Sequence, residues 1–508
     1  MGIEIVDELL RIVEKARILL FNPGKSLYRR AISSGFWAFI LRIVRRGFSF
    51  VRTIILARLL APEDFGLMGI ALLSISALDT FSRTGFQDAL IQKDEDIDEY
   101  LDIAWTVSLL RGFLICIILF FSAPAIARFF GTPAALSIIR VLSLSELLKG
   151  MKNVGVIYFQ KELEFNKQFF YEFTGAIVDL IVSITMALLL HSVWALAFGL
   201  LARNLVSFIL SYFIHPYRPR IKLEKRKAFE LYSFGKWVFA SGILFFLVTH
   251  GDDIFLGRVM GVTALGLYQM AYRIAELPVT EITNVVKRVT FPAFSKVQSD
   301  TEKLKMYFKQ TLETTAVAIF PLSIGLLILG PDIIDVFLGD EWLDMVPALQ
   351  VLALYGLIQS ISASAGTLFR AVGHPEIGFY MNAIRFIAIS VTIYPFTNNL
   401  GILGAALSIG VGAIVKIPIF LLFNKRYINI SVSELWKTYE NPFYITIVAG
   451  FITIILQYFV NQSGLTFLIA ESVCFIFVFI SVSFILWRIN KKSPFSIIKL
   501  LNAQLQRR

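Results

Sequence analysis

Charge is scarce in this 508-residue chain: Asp, Glu, Lys and Arg together make up 17% of it, against about a quarter of a typical soluble domain. With 56% hydrophobic residues, that deficit excludes a soluble enzyme and a disordered chain. Cysteine is nearly absent. Cys116 and Cys474 both lie in apolar runs, which leaves no disulfide framework and no thiolate metal pair. His191, His215, His250 and His374 lack metal-ligand spacing, so no metal site is expected. A signal peptide is not expected either, because Glu4, Asp7, Glu8 and Glu14 interrupt the stretch that would have to be apolar. No Gly-x-Ser-x-Gly elbow occurs. Pro23-Gly24-Lys25-Ser26 ends like a phosphate loop, but Leu19 stands where the first glycine should be. No nucleotide or other cofactor is therefore expected, and any driving force would come from an H+, Na+ or substrate gradient.

What the chain has instead is phenylalanine, 47 residues of it, and long apolar runs that raise the mean hydropathy to +0.71. A membrane-spanning helix needs about 20 mostly apolar residues. Fourteen apolar segments can be placed, centred near residues 46, 75, 114, 146, 180, 203, 243, 275, 319, 357, 387, 411, 451 and 477. With both termini cytoplasmic, the inside segments hold 31 Lys and Arg and the outside loops hold one, Arg128. That bias fixes the orientation in the cell membrane, and it accounts for the net charge of +11 without a nucleic-acid partner. The longest outside loop, around Gly330–Asp344, is acidic through Asp332, Asp335, Asp340, Glu341 and Asp344. At the other end, Ile3, Val6, Leu10, Val13 and Leu20 recur at helical spacing, so residues 1–30 read as an amphipathic cytoplasmic segment.

An internal repeat runs at an offset of 200 residues. Residues 33–68 and 233–268 align without a gap and share, among others, Ser33/Ser233, Gly35/Gly235, Trp37/Trp237, Arg58/Arg258 and Gly66/Gly266. Two six-helix bundles of the same orientation follow, 31–214 and 231–424, joined by a basic cytoplasmic linker at 215–230. Two further helices lie in 425–490, and a basic cytoplasmic tail in 491–508. The fold expected is an all-α integral membrane protein of about fourteen helices.

The first segment carries the strongest chemical signal. At about 100° per residue, Arg42, Arg45, Arg46 and Arg52 share one face about 120° wide. Each Arg at the centre of a bilayer costs about 2.5–3.5 kcal/mol, so four of them facing lipid are not tolerable. They should face an aqueous cavity inside the bundle; the competing reading is that they snorkel or pair with acids on neighbouring helices. A cationic cavity selects anions, and the guanidinium fork suits phosphate. The repeat equivalents are Gly242, Phe245, Phe246 and Asp252, so only one copy carries the charge. Arg83 and Arg111 complete the candidate substrate set, with Arg385 and Lys416 as weaker members. Asp79 stands four residues before Arg83 and is expected to pair with it. Asp79, Glu172, Asp179, Asp252 and Asp253 are the candidates for ion coupling, since a carboxylate inside a membrane is a natural proton or sodium site. His250, Asp252 and Asp253 are expected to close segment 7 near the outer surface. Pro278, Pro321, Pro395 and Pro418 mark candidate hinges.

Leu56-Ala-Arg-Leu-Leu-Ala-Pro-Glu-Asp-Phe-Gly66, after Trp37, resembles the opening signature of the polysaccharide transporter family of the MATE-like multidrug/oligosaccharidyl-lipid/polysaccharide exporter superfamily. Gly266-Leu-Tyr-Gln-Met-Ala-Tyr-Arg273, Phe291-Pro-Ala-Phe-Ser295, Phe320-Pro-Leu-Ser-Ile-Gly325 and Gly339-Asp-Glu-Trp342 are similar to its colanic-acid and teichuronic-acid exporter branch. The resemblance runs over roughly residues 30–490. It implies a V-shaped pair of bundles around a central cavity. It also implies a flippase that carries polyprenyl-pyrophosphate-linked oligosaccharide from the inner to the outer leaflet, working beside the polymerase and glycosyltransferases of the same pathway. The N-terminal amphipathic segment departs from the family's short start. A cation-coupled drug antiporter on the same fold is the alternative, but such a pump needs carboxylates and aromatics where this chain has arginines. An enzyme of the pathway would need a large outside loop that the chain lacks.

Overall fold

The computed structural model describes residues 27–82, 98–222, 235–460 and 464–490. Every regular element among them is helical. The N-terminal segment 1–26, Arg83, the second half of the expected linker (223–230) and the basic tail (491–508) lie outside the described residues. Ten helices are long and apolar enough to cross a membrane. At most 44% of the apolar window of any of them is buried, so each presents apolar side chains outward, as lipid requires.

The chain divides into two compact units, Met1–Phe246 and Leu247–Arg508. The first holds α1 (Leu27–Leu59), α2 (Pro62–Phe81), α3 (Asp98–Phe129), α4 (Ala134–Met151), α5 (Phe165–Leu190) and α6 (Trp194–Ile214). α1 stops because Ala61 precedes a proline and is held extended, and Pro62 then opens α2 in its first turn, where no N–H is missed. Asp64 accepts from the Ala61 N–H at 3.2 Å and from the Val193 N–H at 2.7 Å, so one carboxylate ties together the starts of α2 and α6. α3 and α4 cross where two glycines meet. A Cβ on Gly112 would lie 2.6 Å from the Glu146 carbonyl, and one on Gly150 would lie 2.6 Å from that of Ser108. Beyond α6 the first part of the expected linker is extended and docked on α3. Asp102 accepts from the Tyr217 hydroxyl and, at 2.9 Å, from the Arg220 N–H, while Thr106 accepts from the Lys222 N–H at 3.0 Å.

α7 (Gly235–Val259) straddles the division between the units. The second continues with α8 (Gly261–Lys296), α9 (Thr301–Phe337), α10 (Val346–Ala371), α11 (Pro375–Leu400), α12 (Ile402–Ile414), α13 (Lys416–Ile428), α14 (Val432–Val460) and α15 (Leu465–Asn490). The 200-residue offset reappears in the backbone: α1 ends at Leu59 and α7 at Val259, and a new helix begins within three residues of each. Phe294, Phe308, Phe369, Phe420 and Leu435 build a fully buried core at one end of this unit. α14 and α15 pack on α9, with Lys305 Nζ 2.9 Å from Glu434 at the start of α14.

Three expectations change. The apolar segment centred near 411 is two helices meeting at Val415, with Pro418 in the first turn of α13, where it does not break one. The acidic stretch 330–344 is not all loop. α9 continues to Phe337 through Pro331, so Asp332 and Asp335 are helical, and Asp340–Met345 forms a short 3-10 turn. Finally, α7 does not close at His250 but runs on to Val259, which puts Asp252 and Asp253 inside the helix.

Candidate functional site

α1 and α5 lie side by side and run parallel, and their contact is a two-rung ion ladder. Arg45 Nη1 is 2.8 Å from Glu172 Oε2, and Arg52 Nη2 is 2.9 Å from Asp179 Oδ1. Both arginines and both acids are seven residues apart, two helical turns, so equal spacing on parallel helices puts the rungs in register. Aromatic packing continues the seam: Trp37 meets Phe169 with ring centroids 5.2 Å apart, and Phe48 meets Phe173 at the same distance.

The two rungs differ in setting. Arg45 is 55% exposed, whereas the Arg52 and Asp179 side chains are 21% and 10% exposed. Arg52 Nε also donates to Ser183 Oγ at 3.2 Å. Gly199 on α6 closes the site from behind, since a Cβ there would stand 2.7 Å from Asp179 Oδ1 and 2.8 Å from the Ser183 Cβ. Arg42 and Arg46 occupy the neighbouring strip of α1, about 40° apart and turned from the ladder. Arg42 is half-buried and Arg46 exposed.

Arg111, on α3, meets Asp79, so the carboxylate has a partner on another helix, while the expected pairing with Arg83 lies outside the described residues. The same guanidinium donates at 3.0 Å to the carbonyls of Asp79 and Ser82 and to the Ser82 hydroxyl. It thus caps the C-terminal end of α2, where carbonyls have no partner within the helix and the dipole is negative.

In the second unit Asp252 is 5% exposed and accepts from the Tyr268 hydroxyl at 2.7 Å. A buried hydroxyl donor replaces the water this carboxylate would otherwise need in the packed interior. Asp253 faces His250 Nδ1 at 3.4 Å. Tyr272 and Tyr355 pack nearby with centroids 6.3 Å apart, and Arg385 lies over the Tyr355 ring at 5.5 Å. Arg385 and Lys416 are 7% and 3% exposed, and Lys416 Nζ donates to Gln359 Oε1 at 2.9 Å.

Of the six candidate substrate cations, then, Arg45, Arg52 and Arg111 are joined to Glu172, Asp179 and Asp79, three of the five candidate coupling acids. Sequence reasoning passed over Ser183, Gly199, Tyr268 and Glu471. For the ladder a signal was available, because the matching seven-residue spacings of Arg45/Arg52 and Glu172/Asp179 are visible in the sequence. Among the described residues no group of three or more His, Cys, Asp or Glu is arranged to hold a metal ion.

The model of a family described as polysaccharide biosynthesis protein matches residues 55–347. The lipopolysaccharide biosynthesis protein WzxC of Escherichia coli K12 is 29% identical over 71% of this chain and 74% of its own. The teichuronic acid biosynthesis protein TuaB of Bacillus subtilis 168 is 24% identical, covering 78% of this chain and 84% of its own. Among solved structures, the lipid II flippase MurJ in an inward closed conformation superposes with a TM-score of 0.68 at 18% identity, over 91% of this chain and all of that one, a likeness of fold.

Proposed function

This chain belongs to the polysaccharide biosynthesis protein family, and on that premise we propose that it is a flippase that moves polyprenyl-pyrophosphate-linked oligosaccharide from the inner to the outer leaflet of the cell membrane. Both termini are cytoplasmic in this reading, and the polymerase and glycosyltransferases of the same pathway are its working partners. The observation that carries it is the α1 face. Arg45 and Arg52 meet acids of α5, and Arg42 and Arg46 lie along a different strip of the same helix. These two are the groups we assign to the pyrophosphate. One charge pair at 4 Å and an effective dielectric near 20 is worth about 4 kcal/mol, so two guanidinium groups offset much of the hydration a pyrophosphate loses.

Transport would be coupled to H+ or Na+ at Asp252. Glu172, Asp179 and Asp79 each face an arginine, which already supplies the counter-charge a coupling ion would bring. Asp252 has no ion-pair contact of that kind: it accepts from a neutral tyrosine hydroxyl, beside Asp253 and with Arg385 acting on it from α11. The same pairing disfavours an organic-cation pump, whose cavity needs unneutralised acids.

The test is complementation of a host that lacks its own lipid-linked oligosaccharide flippase. Surface polysaccharide should return with the wild-type chain and fail with Arg42→Gln/Arg46→Gln at matched membrane levels. Rescue by the double variant equal to wild type would remove these arginines from the mechanism.

A further inference from the structure

The spanning part of α15 (465–486) carries one charged group, Glu471. It has no exposed surface, neither carboxylate oxygen makes a hydrogen bond of normal length and angle among the described residues, and the Gln457 amide is the polar group that approaches it. The face of α15 that bears it is turned to α9: a Cβ on Gly325 would sit 3.6 Å from the ring of Phe475, one turn along from Glu471. α14 closes the third side, with Gly450 packed against Ile328 and Ile324 of α9. At the same end of this three-helix contact, Gln457 Nε2 of α14 donates to Asp332 Oδ2 of α9 at 3.3 Å, and Asp332 is the charged group that acts on Glu471.

No basic side chain can neutralise this pair locally. The sequence contains no Lys, Arg or His between Lys309 and Arg370, which covers most of α9, the following turn and nearly all of α10. It contains none between Lys437 and Arg488, which covers the spanning parts of α14 and α15. The charged group that acts on Glu471 from α9 is Asp332; the other charges at this end of α9 and in the adjoining turn are Asp335, Asp340, Glu341 and Asp344, and α14 contributes the neutral Gln457. A buried, unpaired, ionised carboxylate beside a second one is the least tolerable arrangement in a packed apolar interior. Its neutralising charge therefore has to come from solution.

We propose that Glu471, with Asp332 and Gln457, forms a binding site for a monovalent cation, H+ or Na+, in the contact between α9, α14 and α15. On the topology proposed above it opens toward the outer face, below a turn whose charges are all acidic and draw cations in. The site shares no residue with the arginines of α1 or with Asp252, and its test does not depend on substrate movement.

The experiment uses the purified full-length chain in lipid nanodiscs. Infrared difference spectra at neutral pH read the C=O stretch of a protonated carboxylic acid, and 22Na+ is the probe for sodium. Glu471→Gln keeps the shape of the side chain, and Asp332→Asn serves as a second variant in case the first is poorly folded. An acid band in the wild type that disappears in Glu471→Gln, without saturable 22Na+ binding, identifies the occupant as a proton. Saturable 22Na+ binding that is lost in Glu471→Gln and weakened in Asp332→Asn identifies it as sodium. An ionised Glu471 at neutral pH with no bound 22Na+ overturns the proposal.

Discussion

Arg52 on α1 lies 2.9 Å from Asp179 on α5, and both side chains are largely removed from solvent. Removing one partner of such a pair leaves a charge without its counter-charge, whereas removing both leaves neither. The single variants Arg52→Gln and Asp179→Asn should each destabilise the protein more than their double variant does. The coupling energy from a denaturation cycle should be about 1–3 kcal/mol. Additive single effects would contradict a buried ion pair. The exposed rung gives the comparison: with Arg45 55% exposed, Arg45→Gln should change stability by no more than about 1 kcal/mol.

Gly199 is the surface against which Asp179 and Ser183 are set. A methyl group there meets Asp179 Oδ1 at 2.7 Å, so Gly199→Ala should separate α5 from α6 and destabilise by about 1–3 kcal/mol. On α1, a Cβ added to Gly47 meets nothing within 4 Å, and there Gly47→Ala should be neutral or stabilise by up to about 1 kcal/mol through helix propensity. Thermal-shift measurements on the two variants check both signs.

Arg111 performs three tasks with one guanidinium: it meets Asp79, and it caps the carbonyls of Asp79 and Ser82. An ammonium group is a point charge and cannot reproduce the fork. Arg111→Lys should therefore recover only part of the stability lost in Arg111→Ala, and hydrogen exchange should quicken first at the C-terminal turn of α2. Full recovery by lysine would reduce the role of Arg111 to charge alone.

Asp252→Asn preserves an acceptor for the Tyr268 hydroxyl but removes the titratable charge. Transport by this variant should persist down a substrate gradient and lose its response to an imposed H+ or Na+ gradient. A variant that responds to the gradients as the wild type does would take the coupling role away from Asp252.

The helical class, the spanning segments and the 200-residue repeat are written in local patterns, and so is the arginine face of α1, which needs only helical periodicity. What the local sequence does not contain is the identity of partners. Glu172 stands 127 residues from Arg45, and Arg111 reaches Asp79 from a different helix. The end of α7 was misplaced for a related reason. His250, Asp252 and Asp253 read as a helix end, and the hydroxyl that partners Asp252 comes from Tyr268 on α8. Glu471 escaped notice because a lone acid in an apolar run gains its meaning only from the absence of cations on the helices packed around it.

The central claim is that this protein moves a pyrophosphate-linked glycolipid across the bilayer by way of Arg42 and Arg46. The most direct test is reconstitution of the purified chain in liposomes with a labelled polyprenyl-pyrophosphate oligosaccharide on one leaflet, followed by its appearance on the other. The account predicts protein-dependent transfer, slowed about 100-fold in Arg42→Gln/Arg46→Gln, which corresponds to about 3 kcal/mol of lost barrier reduction. Transfer no faster than in protein-free liposomes, or equally fast in the double variant, would contradict it.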